Sequence, residues 1–182
     1  MALCCDAELS SDNVAVGEPT ECALVNYAFK IGISKNNLKY EMPRIGEAPF
    51  DSMRKMMSTV HKKEDGKIVQ FTKGAPDEVL KCCNRYSENN EEKEMTDEKR
   101  QEILKCNKSM ADKALRVLCI AYKDYNSEPS SYEAENLEKD LVYMGLVGMI
   151  DPVRPEVVDA IKECKTAGIK PIMITGDHRD TA

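Results

Sequence analysis

The sequence predicts an α+β fold, with helices mixed with an antiparallel sheet over residues 1–150 and the opening of a separate α/β unit over residues 151–182. Three observations carry that reading. Glu64-Asp65-Gly66 stands between two strand-like runs, Met53 to His61 and Lys67 to Thr72, which is a hairpin signal. Apolar residues recur at helical spacing from Thr20 to Ile31 and again from Thr96 to Leu115. Beyond Asp151-Pro152-Val153-Arg154-Pro155 the pattern changes to a helix followed by a strand, as in parallel-sheet proteins.

Taken in order, Leu3 to Leu9 reads as the last turns of a helix and Ser10 to Val16 as a loop. Pro19 suits a first helical turn, and Ala23, Leu24, Tyr27, Ala28 and Ile31 give the helix one apolar face before Gly32. Leu38 to Ile45 reads as extended, with a turn near Gly46 to Pro49. Ala75-Pro76-Asp77-Glu78 opens a short helix that ends at Asn84, and Ser87 to Glu94 reads as a solvated acidic loop. Thr96-Asp97-Glu98-Lys99 is a helix entry. Val117 to Tyr122 and Leu141 to Ile150 read as buried strands. Glu156 to Ala167 is a helix stopped by Gly168, followed by a strand from Lys170 to Ile174 and a turn at Thr175-Gly176-Asp177. One strand and one helix cannot bury a core, so this last unit reads as cut short.

Composition narrows the function. The chain has 182 residues, 42% hydrophobic and 32% charged, in keeping with an ordinary globular protein. A net charge of −6 with scattered Lys and Arg argues against nucleic acid as a partner. The apolar run Leu141 to Ile150 is far shorter than the ~20 residues that cross a bilayer, and the acidic start at Asp6 and Glu8 is unlike a secretory leader. A cytosolic location without direct membrane insertion is the expectation. The eight cysteines include two adjacent pairs but no C-x-x-C, so they read as reduced, mostly buried thiols. His61 and His178 lack ligand partners at metal spacing.

Several local features suit an anionic ligand. At Lys73-Gly74-Ala75-Pro76 a strand ends in a cation, a glycine permits close backbone approach and a proline opens a helix; an ordinary corner with an exposed lysine has the same spacing. Phe50 with Arg54 and Lys55 supplies a ring and two cations, although a lone Phe is commonly a core residue. Glu21 lies in a first helical turn, where capping is the default role. Arg116 is either a helix-end cation or a phosphate ligand. Thr175-Gly176-Asp177 follows a strand, where α/β sheets bind ligands. These residues by themselves support a soluble α+β domain with an anion or nucleotide pocket.

Together and in order, Gly17-Glu18-Pro19-Thr20-Glu21, Pro49-Phe50-Asp51-Ser52-Met53-Arg54-Lys55-Met56-Met57, Phe71-Thr72-Lys73-Gly74-Ala75-Pro76, Asp151-Pro152-Val153-Arg154-Pro155 and Ile172-Met173-Ile174-Thr175-Gly176-Asp177-His178 resemble P-type cation-transporting ATPases, most of all the calcium-type pumps and their bacterial members. The resemblance implies a twisted antiparallel sheet flanked by helices, the nucleotide-binding domain over residues 1–150, then a hinge and an incomplete haloacid-dehalogenase-like phosphorylation domain over residues 151–182. It implies that Phe50 stacks on adenine, that Lys73 and Gly74 line the base pocket, and that Glu21 meets the adenine edge or orients its neighbours. Arg116, with Leu118 beside it, would approach the phosphates, and Lys55 and Met57 would complete the wall. Asp151 and Arg154 would face the nucleotide across the hinge, while Thr175, Gly176 and Asp177 match the phosphoryl-contacting motif. Some relatives carry arginine where this chain has Ser52, and Arg54 is the candidate to replace it.

The Asp-Lys-Thr-Gly-Thr segment that carries the phosphorylated aspartate is absent, as are the later acidic residues of the magnesium site. The expectation is therefore a domain that binds ATP without turning it over, with Mg²⁺ used in the intact pump. Its partners would be the phosphorylation, actuator and transmembrane domains of the same pump, with calcium the favoured ion. The competing readings are a stand-alone nucleotide-sensing module, a capped haloacid-dehalogenase-like phosphatase fragment, and a protein-interaction domain without a small ligand.

Overall fold

The computed structural model describes residues 1–150 and 155–174. Asp151, Arg154, Thr175, Gly176 and Asp177 lie outside the described residues.

A small two-stranded ribbon, β1 (Glu8–Leu9) and β2 (Ala15–Val16), precedes helices α1 (Pro19–Lys30) and α2 (Lys35–Glu41). The main sheet is built from β3 (Arg44–Asp51), β4 (Met56–Lys62), β5 (Ile68–Gly74), β6 (Cys83–Glu88), β7 (Glu91–Glu94), β8 (Arg116–Tyr125) and β9 (Leu141–Met149). Helices α3 (Pro76–Lys81), α4 (Asp97–Ala111) and α5 (Ala134–Leu137) connect these strands, and α6 (Pro155–Thr166) follows. The strand order is β3-β4-β5-β8-β9-β6-β7, antiparallel throughout except for the parallel pair β6 and β9. That one parallel pair is the exception in the antiparallel sheet expected. It arises because α3 carries the chain from β5 across β8 and β9 before β6 begins.

Alternation along the central strands separates two packing faces. Cys5, Ala7, Leu9, Leu24 and Val25 form one core, against which Leu118, Val147 and Met149 pack. A second core contains Met56, Val79, Cys83, Cys119, Ala121 and Leu141, and a third Ala48, Val60, Ile68 and Leu137. The cysteines are all unpaired; Cys4, Cys5, Cys83 and Cys119 are buried, Cys22, Cys82 and Cys164 half-buried, and Cys106 exposed.

Several local expectations are corrected. Leu3 to Leu9 is not helical, because its carbonyls serve distant cations: Lys35 Nζ donates to the carbonyls of Cys5 (2.7 Å) and Ala7 (2.5 Å), and Arg44 Nη2 to those of Leu3 and Cys5. Residues 35–41 form a helix rather than a strand, ending at Met42, which precedes Pro43 and takes an extended-side φ of −134°. Gly46 to Pro49 is not a turn but the middle of β3. A Cβ at Gly46 would sit 2.2 Å from the Tyr132 ring, so the glycine serves a close approach, and Pro49 is tolerated because β3 is an edge strand.

The supposed acidic loop is a hairpin, β6 to β7. Asn89 and Asn90 both take left-handed φ, 54° and 65°, as a two-residue hairpin turn requires, and Lys93–Glu88 (2.7 Å) and Arg85–Glu92 pair across it. Residues 170–174 form no strand, for among the described residues no neighbouring strand offers them a ladder.

Candidate functional site

The hairpin turn between β3 and β4 is fixed by its own first residue. Asp51 Oδ1 accepts from the backbone N–H groups of Met53 (2.9 Å) and Arg54 (3.0 Å), and the Lys55 N–H donates to the Asp51 carbonyl (2.7 Å). Lys55 closes the turn at a left-handed φ of 55°. Its carbonyl accepts from the Ala75 N–H (2.9 Å), which brings the turn against the end of β5. Gly74 is what permits that contact: a Cβ there would lie 2.5 Å from the Lys55 oxygen.

On the neighbouring side, Glu18 is the N-cap of α1, accepting from the Glu21 N–H (3.1 Å), and Pro19 occupies the first turn. Glu21 therefore does not cap its helix. Its carboxylate crosses to the sheet, where Oε1 accepts from Lys73 Nζ at 2.5 Å, while Oε2 accepts from the N–H groups of Asp6 (2.7 Å) and Ala7 (2.9 Å). The ion pair is nearly dry, with side-chain exposures of 8% for Lys73 and 13% for Glu21. Burial pushes the Glu21 carboxyl up, but the Lys73 hydrogen bond and charge and the two backbone donors outweigh it, leaving the pKa below its ordinary value. Burial likewise disfavours the Lys73 ammonium, and the Cys5 and Glu21 sites hold it above its usual value. Cys5, whose Sγ is 3.3 Å from Lys73 Nζ, is itself raised by burial, so at neutral pH Glu21 is the operative counter-charge.

These elements enclose a cavity of about 960 Å³, at the upper end of the ~300–1,000 Å³ of ligand pockets. Of the predicted residues, Glu21, Phe50, Ser52, Lys55, Met57, Lys73, Gly74, Arg116 and Leu118 line it. Phe50 and Lys73, from different strands, thus face one space. Phe50 is 63% exposed and is not a core residue. Arg116, at the start of β8, donates to Thr20 Oγ1 (2.9 Å), and Thr20 in turn donates to Glu18 (3.0 Å).

Arg54 is the correction at this site. It does not line the cavity, so it does not replace the arginine absent at position 52; its guanidinium is turned to Glu138 and to the Pro49 carbonyl. The sequence reading also missed Asp6 and Ala7, from the segment misread as helix, and Asn107, Lys108 and Ala111 at the end of α4. No local pattern marks these residues, since only tertiary packing brings them to the cavity.

The lining combines an apolar part (Phe50, Met57, Leu118) with four cations (Lys55, Lys73, Lys108, Arg116) and four carboxylates (Asp6, Glu18, Glu21, Asp77). With charges balanced, a ligand gains more from stacking and directed hydrogen bonds than from net attraction. Among the described residues no group of three His, Cys, Asp or Glu side chains could hold a metal ion.

This architecture and its motifs place the chain in a family: it belongs to the P-type ATPases, matching the family's cytoplasmic domain N over residues 1–156. Among its relatives are "Calcium-transporting ATPase 1" of Bacillus cereus, 45% identical over 182 residues, and "Calcium-transporting ATPase 1" of Lactococcus lactis, 43% identical over 182 residues. Both alignments cover 100% of this chain and 20% of the relative. The human "Plasma membrane calcium-transporting ATPase 1" is 39% identical over 177 residues, covering 92% of this chain and 14% of that protein. The chain thus spans about a fifth of the length of the bacterial relatives. No described helix is long and apolar enough to cross a membrane.

Proposed function

We propose that this chain is the ATP-binding domain of a P-type calcium pump, holding ATP for transfer to an aspartate that the chain does not contain. The supporting observation is the convergence on one cavity of an exposed ring (Phe50), a buried ion pair (Glu21–Lys73) and an arginine at the rim (Arg116). Adenine enters against Phe50, and the dry Glu21–Lys73 pair presents fixed polar atoms to its edge. Arg116, oriented by Thr20, meets the phosphates. Since the described lining offers no metal-binding cluster, magnesium would travel on the triphosphate. The intact pump would supply the phosphorylation domain, beginning at the hinge that holds Asp151 and Arg154, and the membrane helices that select the ion.

Titration with ATP and with AMP, followed by calorimetry, tests this reading on the native chain and on Phe50→Ala. Stacking on an aromatic side chain contributes ~1–3 kcal/mol per base. Phe50→Ala is expected to weaken both ligands by about tenfold. Equal affinities in the two proteins would overturn the base-stacking site.

A further inference from the structure

We infer that Glu138 is a positioning residue for base recognition: by gripping Arg54, whose other guanidinium nitrogen holds the Pro49 carbonyl, it fixes the peptide plane that enters Phe50. The inference rests on the proposed stacking role of that ring.

An aromatic side chain that is 63% exposed has little packing to hold it, so its direction depends on the backbone beneath. Arg54 reaches back across the turn, and its Nη2 donates to the Pro49 carbonyl at 2.8 Å. Its Nη1 donates to Glu138 Oε1. A guanidinium is a rigid planar fork, so anchoring one nitrogen fixes the other. The Glu138 side chain is only 7% exposed, and Ser58 Oγ lies 3.3 Å from the same oxygen.

The anchor continues along the sheet. Ser58 Oγ meets Thr72 Oγ1 at 2.8 Å, Gln70 Nε2 donates to Thr72 Oγ1 (2.8 Å) and to the Leu137 carbonyl (3.0 Å), and Tyr125 OH donates to Gln70 Oε1 (2.6 Å). Ser58 and Thr72 are the immediate neighbours of Met57 and Lys73, so by strand alternation they lie on the face away from the cavity. Neither Arg54 nor Glu138 lines the cavity. The pair acts on the ligand at one remove, through the Pro49 carbonyl that Arg54 holds and the Phe50 ring that follows it.

A double-mutant cycle on the full chain separates positioning from general stability, with ATP affinity read by amide-shift titration of native, Glu138→Gln, Phe50→Ala and the double variant. Glu138→Gln is expected to weaken ATP about three- to tenfold in the native background and by less than twofold once the ring is gone. Tyr125→Phe perturbs the same polar chain away from Arg54 and is expected to leave affinity within twofold. Arg54→Lys, which keeps the charge but loses the fork, is expected to repeat the Glu138→Gln loss, and serves if Glu138→Gln does not fold. An equal loss in both backgrounds, or no loss from Glu138→Gln and Arg54→Lys while Phe50→Ala still weakens ATP, would overturn the clamp and leave the stacking site standing. No effect of Phe50→Ala would remove both.

Discussion

Breaking the buried pair from its two ends should give unequal costs, because Glu21 serves three donors and Lys73 essentially one acceptor. Lys73→Met removes one hydrogen bond from a carboxylate that keeps the Asp6 and Ala7 N–H groups at 2.7 and 2.9 Å. A charge-assisted hydrogen bond contributes roughly 1.5–3 kcal/mol, so this variant should lose about 2 kcal/mol. Glu21→Ala leaves an 8% exposed ammonium facing the Cys5 sulfur and also removes the acceptor of the buried Ala7 N–H, while water can replace it at the exposed Asp6. Its cost should be about 3–5 kcal/mol, as for other buried pairs broken at one end. The double variant should be less destabilised than the sum by about 2 kcal/mol, since the shared bond is then lost only once. Urea midpoints at unchanged slope give these values. A Lys73→Met loss equal to or greater than that of Glu21→Ala, or additivity within about 0.5 kcal/mol, would refute the claim that Glu21 is the hub joining the N-terminal segment to β5.

Two further outcomes follow from groups beside or behind the cavity. Burial, only partly offset by the Met42 carbonyl, lowers the His61 pKa from 6.5 to about 4. Between those values the unfolded chain binds a proton that the folded chain does not, so stability rises with pH across the window and falls on acidification, by up to about 3 kcal/mol from pH 7 to pH 4. His61→Gln should flatten that part of the urea-midpoint profile, and an unchanged slope would contradict it. Gly74→Ala sets a Cβ 2.5 Å from both the Lys55 carbonyl and Met56 Cβ, which should cost ~1–3 kcal/mol and weaken ATP by displacing the turn that carries Phe50. Native-like urea midpoints and ATP titrations would show that the turn does not depend on that contact.

What was legible in the sequence was whatever a short local pattern dictates. Pro19 and the apolar spacing of Leu24 and Ala28 gave α1, and Asp65-Gly66 gave the β4–β5 hairpin. Asn89-Asn90 carried an equally good turn signal, but the flanking strands Cys83–Glu88 and Glu91–Glu94 are so polar that alternation was hidden. The Leu3 to Leu9 segment misled for a different reason: its conformation is set by Lys35 and Arg44, which lie 28 to 41 residues away along the chain. Lys35, only 2% exposed, shows no sign in the sequence of being buried, and burial lowers its pKa. At the cavity, Phe50 and Lys73 stand in motifs that the sequence displays, whereas Arg116, which also lines it, stands in none of them. The Arg54–Glu138 contact spans 84 residues and left no local trace.

The central claim, that ATP binds where these strands and α1 meet, is tested most directly by mapping amide shifts as ATP is added to the native chain. The account predicts that Glu21, Phe50, Lys55, Lys73 and Arg116 move together along one saturating curve while the β6–β7 hairpin stays still. Shifts centred on that hairpin, or none at millimolar ATP, would contradict it.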